Sequence, residues 1–337
     1  MDSALKKLIR SLSETRPRRK DAHILRFYSS YVLICDGKAI EATYPKMSYC
    51  PLAAALYKGI DRVKDKDGLM QAILQAVNSK IAKSGHFTGQ RELSQSNISI
   101  PYGASEMLMY ALRKKVLDAA CVVCDGAGTV IVAKPDIVQG IGARMNGLFY
   151  TSPILKVITR LEKTGSHVVF KKASIDQVEG VKRAAKLGYK KIAVTVNASM
   201  DESFKRLREI ERGAGISLTI LAVCTTGISK EKVREIAGYA DLVWSCASSA
   251  IRSIIGPMSV IQLSKKIPVF VLTKKGTEFV SSYSSDEKAL KNLDLRRQYM
   301  IAASGRGKKM TMGDFEACIY EAKLPLRDGK EPKIDAV

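Results

Sequence analysis

The sequence contains no long apolar run, and this excludes a membrane-spanning helix. A helix that crosses a bilayer needs about 20 consecutive apolar residues, and no stretch of the chain approaches that length. The first residues, Met1 to Lys7, also lack the apolar core of a secretory signal peptide. We therefore expect a cytoplasmic protein that has no membrane partner.

Histidine is scarce, and this limits the reactions that the sequence can support. The three histidines are His23, His86 and His167, and none lies in a metal-ligand spacing or beside a candidate nucleophile. A hydrolase whose serine or cysteine depends on a histidine base is therefore disfavoured. The sequence also has no Walker loop, which excludes ATP hydrolysis by a P-loop.

The chain has 55 lysines and arginines but only 33 acidic residues, which gives a formal net charge of +22. Such a charge favours anionic partners: nucleic acid, an acidic protein, or phosphorylated and carboxylated small molecules. The basic arm Arg16–Lys20 is the clearest candidate for contacts with nucleic acid or a protein complex. The alternative is a general basic bias, because aromatic content is only 7% and no motif for stacking bases stands out.

Strands and helices alternate along the middle of the chain, and this pattern predicts an α/β fold. We expect a mainly parallel sheet with helices on both faces, preceded by a small N-terminal α+β portion with a hairpin turn at Asp36-Gly37. The predicted divisions are 1–22 for a basic helix and arm, 23–102 for the small portion, 103–282 for the α/β domain, and 283–337 for a helical extension and charged tail.

Seven cysteines are present, an odd number that argues against a disulfide framework. Cys124 and Cys246 follow predicted strands, at the sheet edge where ligands of open α/β folds bind, and Cys50 lies in a loop. We take these three thiols as the best candidate ligands for an iron–sulfur cluster or zinc. The alternative is that the cysteines pack as small apolar core residues, as we expect for Cys121.

Two glycine-rich segments could allow a ligand to approach the backbone. The first contains Gly126 and Gly128, and the second contains Gly140 and Gly142. Both segments have a simpler interpretation as tight turns. If a ligand binds there, the polar side chains best placed to contact it are those of Asp125, Thr129 and Gln139.

Three further positions combine a possible binding role with a simpler structural one. Thr151 and Ser152 precede a predicted helix and could bind an anion, although an ordinary helix cap is favoured. Thr225 and Thr226 follow a predicted strand and form either an anion cradle or a plain loop. Asp176 begins a helix, where it stabilises the helix dipole or serves as a ligand contact.

Eight short segments occur in a specific order between His23 and Leu272. They are Tyr49–Leu52, Val123–Val130, Val138–Gly142, Thr151–Ile154, Ile175–Val181, Gly188–Ile192, Thr225–Ser229 and Cys246–Ser248. In this ordered combination the chain resembles the methanogenesis marker 8 family of archaeal proteins. The resemblance implies a role near methyl-coenzyme M reductase, its assembly factors or its cofactors, but it supplies no reaction.

Three hypotheses about function follow. The first is an accessory or maturation protein of methane metabolism that holds a cluster or metal on its cysteines. The second is a metal-independent enzyme or binding protein for a small anionic metabolite. The third is a nucleic-acid-binding or complex-binding protein that uses its basic surface.

Overall fold

The computed structural model describes residues 5–6, 8–10, 21–47, 50, 53–54, 57, 59–63, 65–200 and 203–328. Three features from the sequence lie outside these residues: the basic arm 16–20, the motif residues Tyr49, Pro51 and Leu52, and the tail beyond Asp328. Within the described residues, no helix is long and apolar enough to cross a membrane.

The N-terminal portion is built on a four-stranded antiparallel sheet. Its strands are β1 (Ala22–Phe27), β2 (Ser30–Cys35), β3 (Lys38–Ala42) and β6 (Gly147–Thr151), in the order β3-β2-β1-β6. The predicted hairpin is confirmed: Asp36 and Gly37 connect β2 to β3 with φ angles of 49° and 72°, as a two-residue turn requires. Strand β6 comes from the middle of the chain, so the small sheet is completed by a distant segment.

Helix α1 (Lys66–Ser84) packs on the small sheet. It begins at Asp65, whose side chain accepts a hydrogen bond from the Gly68 amide, and it ends at Gly85, which has a φ of 64°. Both ends follow the usual capping chemistry. Its buried face carries Leu69, Ile73, Ala76, Val77 and Ile81 at helical spacing, and also one lysine, Lys80.

The large sheet has eleven strands in the order β14-β15-β13-β11-β12-β10-β9-β8-β4-β5-β7. Their bounds are β4 (Ala119–Cys124), β5 (Gly128–Val132), β7 (His167–Val168), β8 (Lys191–Asn197), β9 (Ser217–Val223), β10 (Leu242–Trp244), β11 (Ile261–Leu263), β12 (Val269–Val271), β13 (Tyr299–Ala302), β14 (Lys308–Met312) and β15 (Phe315–Glu321).

The prediction of a mainly parallel sheet is wrong, because the large sheet is mixed and mostly antiparallel. Only the β4–β8, β8–β9, β9–β10 and β11–β13 pairs are parallel. A parallel pair needs a long crossover connection, whereas β5 returns from β4 through only three residues, 125–127. The alternation of strands and helices predicts the parallel strands at the centre of the sheet. Short connections reverse the direction of several outer strands.

Helices cover both faces of the large sheet, as the sequence predicts. One face packs against α2 (Ala104–Arg113), α3 (Pro135–Gly142), α4 (Leu155–Lys163), α8 (Lys274–Ser281) and α9 (Glu287–Lys291). The other face packs against α5 (Gln177–Lys186), α6 (Phe204–Ala214), α7 (Lys230–Tyr239) and the short turns Ile251–Ile255 and Gly256–Met258. Cys121 belongs to the second face and Cys124 to the first, because residues three apart on a strand point in opposite directions.

The C-terminal segment differs from its prediction. We expected a helical extension beyond residue 283, but the described part has one short helix, α9, followed by the three strands β13, β14 and β15. These strands continue the large sheet through β11. The strand Phe315–Glu321 alternates between buried and more exposed residues, a period of two that is typical of an outer strand.

Candidate functional site

Six buried polar side chains gather where the small sheet meets the end of β4. They come from β1, from the C-terminal half of α1, from the segment that follows α1, from the residue after β4 and from the end of β6. Each is at most 5% exposed. We call this group the Asp125 cluster, and its members are His23, Lys80, His86, Arg91, Asp125 and Thr151.

The carboxylate of Asp125 lies at the centre and has two partners. The Arg91 Nε donates to its Oδ1 at 2.9 Å, and the Phe87 amide donates to its Oδ2 at 2.5 Å. Both charged side chains are fully buried. Burial raises the pKa of Asp125, but the Arg91 guanidinium outweighs burial and holds the pKa well below its usual range. Asp125 is therefore a permanent buried anion.

The Arg91 guanidinium has five N–H donors, and four described hydrogen bonds tie it to the protein. Besides its bond to Asp125, it donates to the carbonyl oxygen of Glu92, to that of Gly140 at 3.0 Å and to that of Ile141 at 2.9 Å. These contacts fix the segment after α1 against the end of α3. Arg91 therefore contributes positive potential to the site and is held mainly by protein acceptors.

Lys80 is a buried cation that forms no ion pair with the described residues, although the charge of Asp125 acts on it from a greater distance. Its Nζ donates to the Asn146 Oδ1 at 2.6 Å, and no described carboxylate lies within 4.0 Å of it. Burial, together with the positive charge of Arg91, lowers the pKa of Lys80 to about 7. The amine and ammonium forms are therefore about equally populated near neutral pH.

Two buried histidines complete the cluster with open ring nitrogens. Neither ring nitrogen of His86 makes a regular hydrogen bond with the described residues, although the ring interacts with the Ala143 backbone, and the Nε2 of His23 makes no hydrogen bond with them either. Burial, followed by the charge of Arg91, lowers the pKa of His86 to about 2, and burial lowers the pKa of His23 to about 4. Buried polar atoms without protein partners are costly and are typical of places where a polar ligand or water binds.

Thr151 and its neighbours join the cluster to the small sheet. The Thr151 Oγ1 accepts a hydrogen bond from the Gly126 amide at 2.7 Å, and it lies 2.7 Å from the His23 Nδ1. The Ser152 Oγ accepts from the Ala22 amide at 3.0 Å. The sequence favoured Ser152 as the N-cap of α4, but this prediction is wrong, because the N-cap residue is Ile154. Asp125, Gly126, Thr151 and Ser152 were predicted from separate motifs, and the structure brings them together.

Gly128 and Thr129 are used inside the fold, away from the Asp125 cluster. A Cβ on Gly128 would lie 2.3 Å from the Ala173 carbonyl oxygen, so this glycine permits close backbone packing. The Thr129 Oγ1 donates to the Gln177 Oε1 at 2.9 Å and accepts from the Asp176 amide at 2.9 Å. The Asp176 carboxylate itself accepts from the Glu179 amide and caps α5. Whether any of these residues also contacts a ligand stays a prediction.

Gln139, Gly140 and Gly142 lie within α3 and not in the tight turn that was the simpler interpretation of this segment. The Gln139 Nε2 donates to the Asn97 carbonyl oxygen at 2.9 Å. A Cβ on Gly140 would lie 2.3 Å from the Leu93 backbone, and one on Gly142 would lie 2.4 Å from the Ser105 Cβ. The helix needs glycine at these positions because neighbouring segments pack directly against its backbone.

Thr225 and Thr226 connect the ends of β9 and β10. The Thr225 hydroxyl donates to the carbonyl oxygens of Trp244 and Ser245, at 2.7 Å and 3.0 Å. The Thr226 hydroxyl accepts from the Ala247 amide at 3.2 Å. Both hydroxyls therefore hold the strand ends together in this structure.

All three predicted metal ligands lie within the described part of the chain, and the structure does not group them. Cys124 is buried in the core of the large sheet, Cys50 packs with the apolar residues of the small portion, and Cys246 is half-buried beyond β10. Burial raises the pKa of Cys124 and of Cys246. Among the described residues, no three His, Cys, Asp or Glu side chains are grouped closely enough to hold a metal ion.

Residues 23–284 match the model of a family described as an uncharacterized protein conserved in archaea, DUF2099. The chain belongs to this family. It is also 40% identical over 268 residues to the uncharacterized protein MJ0054 of Methanocaldococcus jannaschii, and the match covers 79% of this chain and 92% of that protein. Neither description mentions methane metabolism, so that link stays a proposal.

The region shared with the family contains the whole Asp125 cluster, since His23 to Thr151 fall within residues 23–284. Four members of the cluster, His23, Lys80, His86 and Arg91, were not predicted as site residues. Spacing alone gave no reason to choose the histidines. Lys80 did leave a signal, because it occupies a position on the apolar face of α1, between Val77 and Ile81.

Proposed function

We propose that this protein binds a small anionic metabolite, phosphorylated or carboxylated, in the Asp125 cluster, as a metal-independent enzyme or binding protein. The observation that carries the proposal is Lys80, a buried cation whose described hydrogen bond goes to the neutral amide of Asn146. Burying a charge without an opposite charge is expensive. A bound anion would supply the missing partner.

The charges around Lys80 support this proposal. Lys80 and Arg91 are two buried cations, while Asp125 is the only carboxylate in the cluster and is already paired with Arg91. Arg144 also acts on Lys80 electrostatically from the loop before β6. It is exposed, and it forms no hydrogen bond or ion pair with the rest of the described chain. The cluster therefore has positive charge available for a ligand.

A second candidate is an accessory or maturation role in methane metabolism, near methyl-coenzyme M reductase or its cofactors. It rests on the ordered segments through which the sequence resembles the methanogenesis marker 8 family, and it is compatible with anion binding. A cluster held by Cys50, Cys124 and Cys246 does not form part of this proposal, because the thiols lie apart. Co-purification of the reductase or its assembly factors under anaerobic conditions would test the role.

Lys80→Met is expected to weaken anion binding at least tenfold, because a charge-assisted hydrogen bond contributes about 1.5 to 3 kcal/mol. The measurement is calorimetric titration with inorganic phosphate and with succinate. Lys83→Met is the matched control, since Lys83 lies on the same helix but is exposed. Equal affinities in the wild-type protein and Lys80→Met, or no binding of either anion to the wild type, would contradict the proposed function.

Anion affinity is also expected to fall about tenfold for each pH unit above about 7, where Lys80 loses its proton. Affinity falls with rising pH because an anion binds the ammonium form of Lys80, and this form becomes the minor one above the pKa. Asp125 stays ionised in this range and His86 stays neutral. The other charged groups that act on Lys80 are Arg91 and Arg144. Titrations at several pH values would show a flat profile if Lys80 is not the group that binds.

A further inference from the structure

The amine of Lys80 is held in a way that suits covalent chemistry. A lysine with a purely structural role is normally paired with a carboxylate when it is buried, but in this cluster Arg91 occupies Asp125. The described contact of the Lys80 Nζ is to the Asn146 Oδ1 at 2.6 Å, which orients the nitrogen without neutralising it. Lysines that form Schiff bases are activated by a desolvated position near another cation, and Arg91 is such a cation here.

We propose that Lys80 is a catalytic nucleophile that forms an imine with an anionic carbonyl compound, a 2-oxo acid or an aldehyde acid. This inference rests on the proposed function, because the same cluster must first bind the anionic group. It adds the substrate class, since a carbonyl group is required beside the carboxylate.

The chemistry balances without any additional reactant. The lone pair of the Lys80 nitrogen attacks the carbonyl carbon, and the carbonyl oxygen takes up a proton to give a carbinolamine. The nitrogen gives up a proton, the hydroxyl leaves as water, and the carbon–nitrogen double bond forms. Overall, one amine and one carbonyl compound give one imine and one water molecule.

His86 is placed to move the protons in these steps. It is buried in the same cluster, the charge of Lys80 acts on it, and neither ring nitrogen makes a regular hydrogen bond with the described residues, although the ring also interacts with the Ala143 backbone. A neutral imidazole can accept a proton at one nitrogen and donate from the other. Burial keeps His86 neutral, since its pKa is lowered to about 2.

Arg144 is placed to hold the substrate's anionic group. It lies two residues before Asn146, the partner of Lys80, and its backbone adopts a left-handed φ of 56°. Its guanidinium makes no hydrogen bond or ion pair with the described residues. An arginine can bind a carboxylate through two parallel hydrogen bonds, so Arg144 would bind the acid while Lys80 attacks the carbonyl.

The amine form that the reaction needs is available near neutral pH. Burial lowers the pKa of Lys80 to about 7, whereas an unperturbed lysine has a pKa of about 10.4 and is almost fully protonated there. Lys80 should therefore react with carbonyl compounds faster than the exposed lysines of the chain at the same pH.

The test is reductive trapping with glyoxylate and cyanoborohydride at neutral pH, followed by peptide mapping by mass spectrometry. We expect one carboxymethyl adduct per chain, located on Lys80 and formed at least tenfold faster than on Lys83. Arg144→Met should slow trapping of glyoxylate at least tenfold more than it slows trapping of the uncharged propionaldehyde, because the loss of the Arg144 charge also raises the pKa of Lys80 and affects both reagents equally. Labelling of Lys80 no faster than of Lys83 would overturn the proposal.

Lys80→Arg separates this inference from the proposed function. Arginine keeps the positive charge but cannot form the imine, so the variant should still bind succinate while trapping at this position is lost. If the wild-type protein binds succinate but Lys80 is not trapped, the imine is wrong and anion binding stands. If the protein neither binds succinate nor traps glyoxylate, both proposals are wrong.

Discussion

Asp125→Asn is expected to lower the free energy of unfolding by about 3 to 5 kcal/mol at neutral pH, as is typical when one partner of a buried ion pair is removed. The Arg91 and Asp125 side chains are both fully buried, with 2.9 Å between the Nε and Oδ1 atoms. Asparagine would leave the guanidinium charge uncompensated and would place an amide group where the Phe87 amide now donates. Urea unfolding of the two proteins measures the difference.

Asp314→Asn is a suitable control for this substitution. Asp314 accepts a hydrogen bond from the Tyr110 hydroxyl at 3.2 Å, but it lies at the surface, where such a change usually alters stability by less than about 1 kcal/mol. If Asp125→Asn proved as mild as Asp314→Asn, water would have to reach the pair, and the description of a fully buried ion pair would be wrong.

The central elements of the fold could be predicted from local sequence because their signals are local. The turn at Asp36-Gly37 and the capping of α1 depend on a few neighbouring residues. The parallel strands β8, β9 and β10 follow from helices between them. The direction of the outer strands depends on which strands pair across the sheet, and short connections such as 125–127 decide that without a strong sequence pattern.

The candidate site was predicted only in part, for the same reason. The edge of the sheet after β4 could be inferred from strand geometry, and it contributes Asp125 and Gly126 to the candidate site. The pairing of His23 with Thr151 across β1 and β6 joins residues 128 positions apart, and nothing in either segment indicates its partner. Lys80 and Arg91 reach the cluster only once α1 and the segment after it have packed on the small sheet.

The cysteines show how a residue type can mislead. Two thiols at predicted strand ends and a third in a loop suggested a shared metal site, yet the structure does not group the three. Cys124 packs into the core of the large sheet and Cys50 into that of the small portion. The direction of each side chain depends on register, and a shift of one residue sends it to the opposite face.

Acidification is expected to destabilise the fold steeply, by about 2 to 3 kcal/mol for each pH unit below about 6.5. Burial lowers the pKa of His23 to about 4 and that of His86 to about 2. Between pH 6.5 and 4 the unfolded chain therefore binds two protons that the folded chain does not. The contribution of the two histidines to the free energy of unfolding is fully present above the pKa of histidine in the unfolded chain. This contribution is lost as the pH falls.

The charged groups that face the two histidines do not reverse the expected loss of stability at low pH. Asp125 and Asp36 raise the pKa of His23, and Asp125 raises that of His86, but burial outweighs both contributions. Arg91 and Lys80 oppose protonation of His86. Lys80 adds no slope of its own below its pKa of about 7, because it is charged in the folded and unfolded chains alike.

Urea unfolding at several pH values between about 6.5 and about 5 measures how steeply the free energy of unfolding depends on pH. Carboxylates titrate mainly below this pH interval. His86→Phe should roughly halve the slope, since the variant removes one of the two protons that the unfolded chain takes up. His167→Phe is the matched control, because this histidine lies on β7 and is only half-buried. A wild-type slope near zero would show that both histidines are protonated in the folded protein, and would place water or a bound anion beside them.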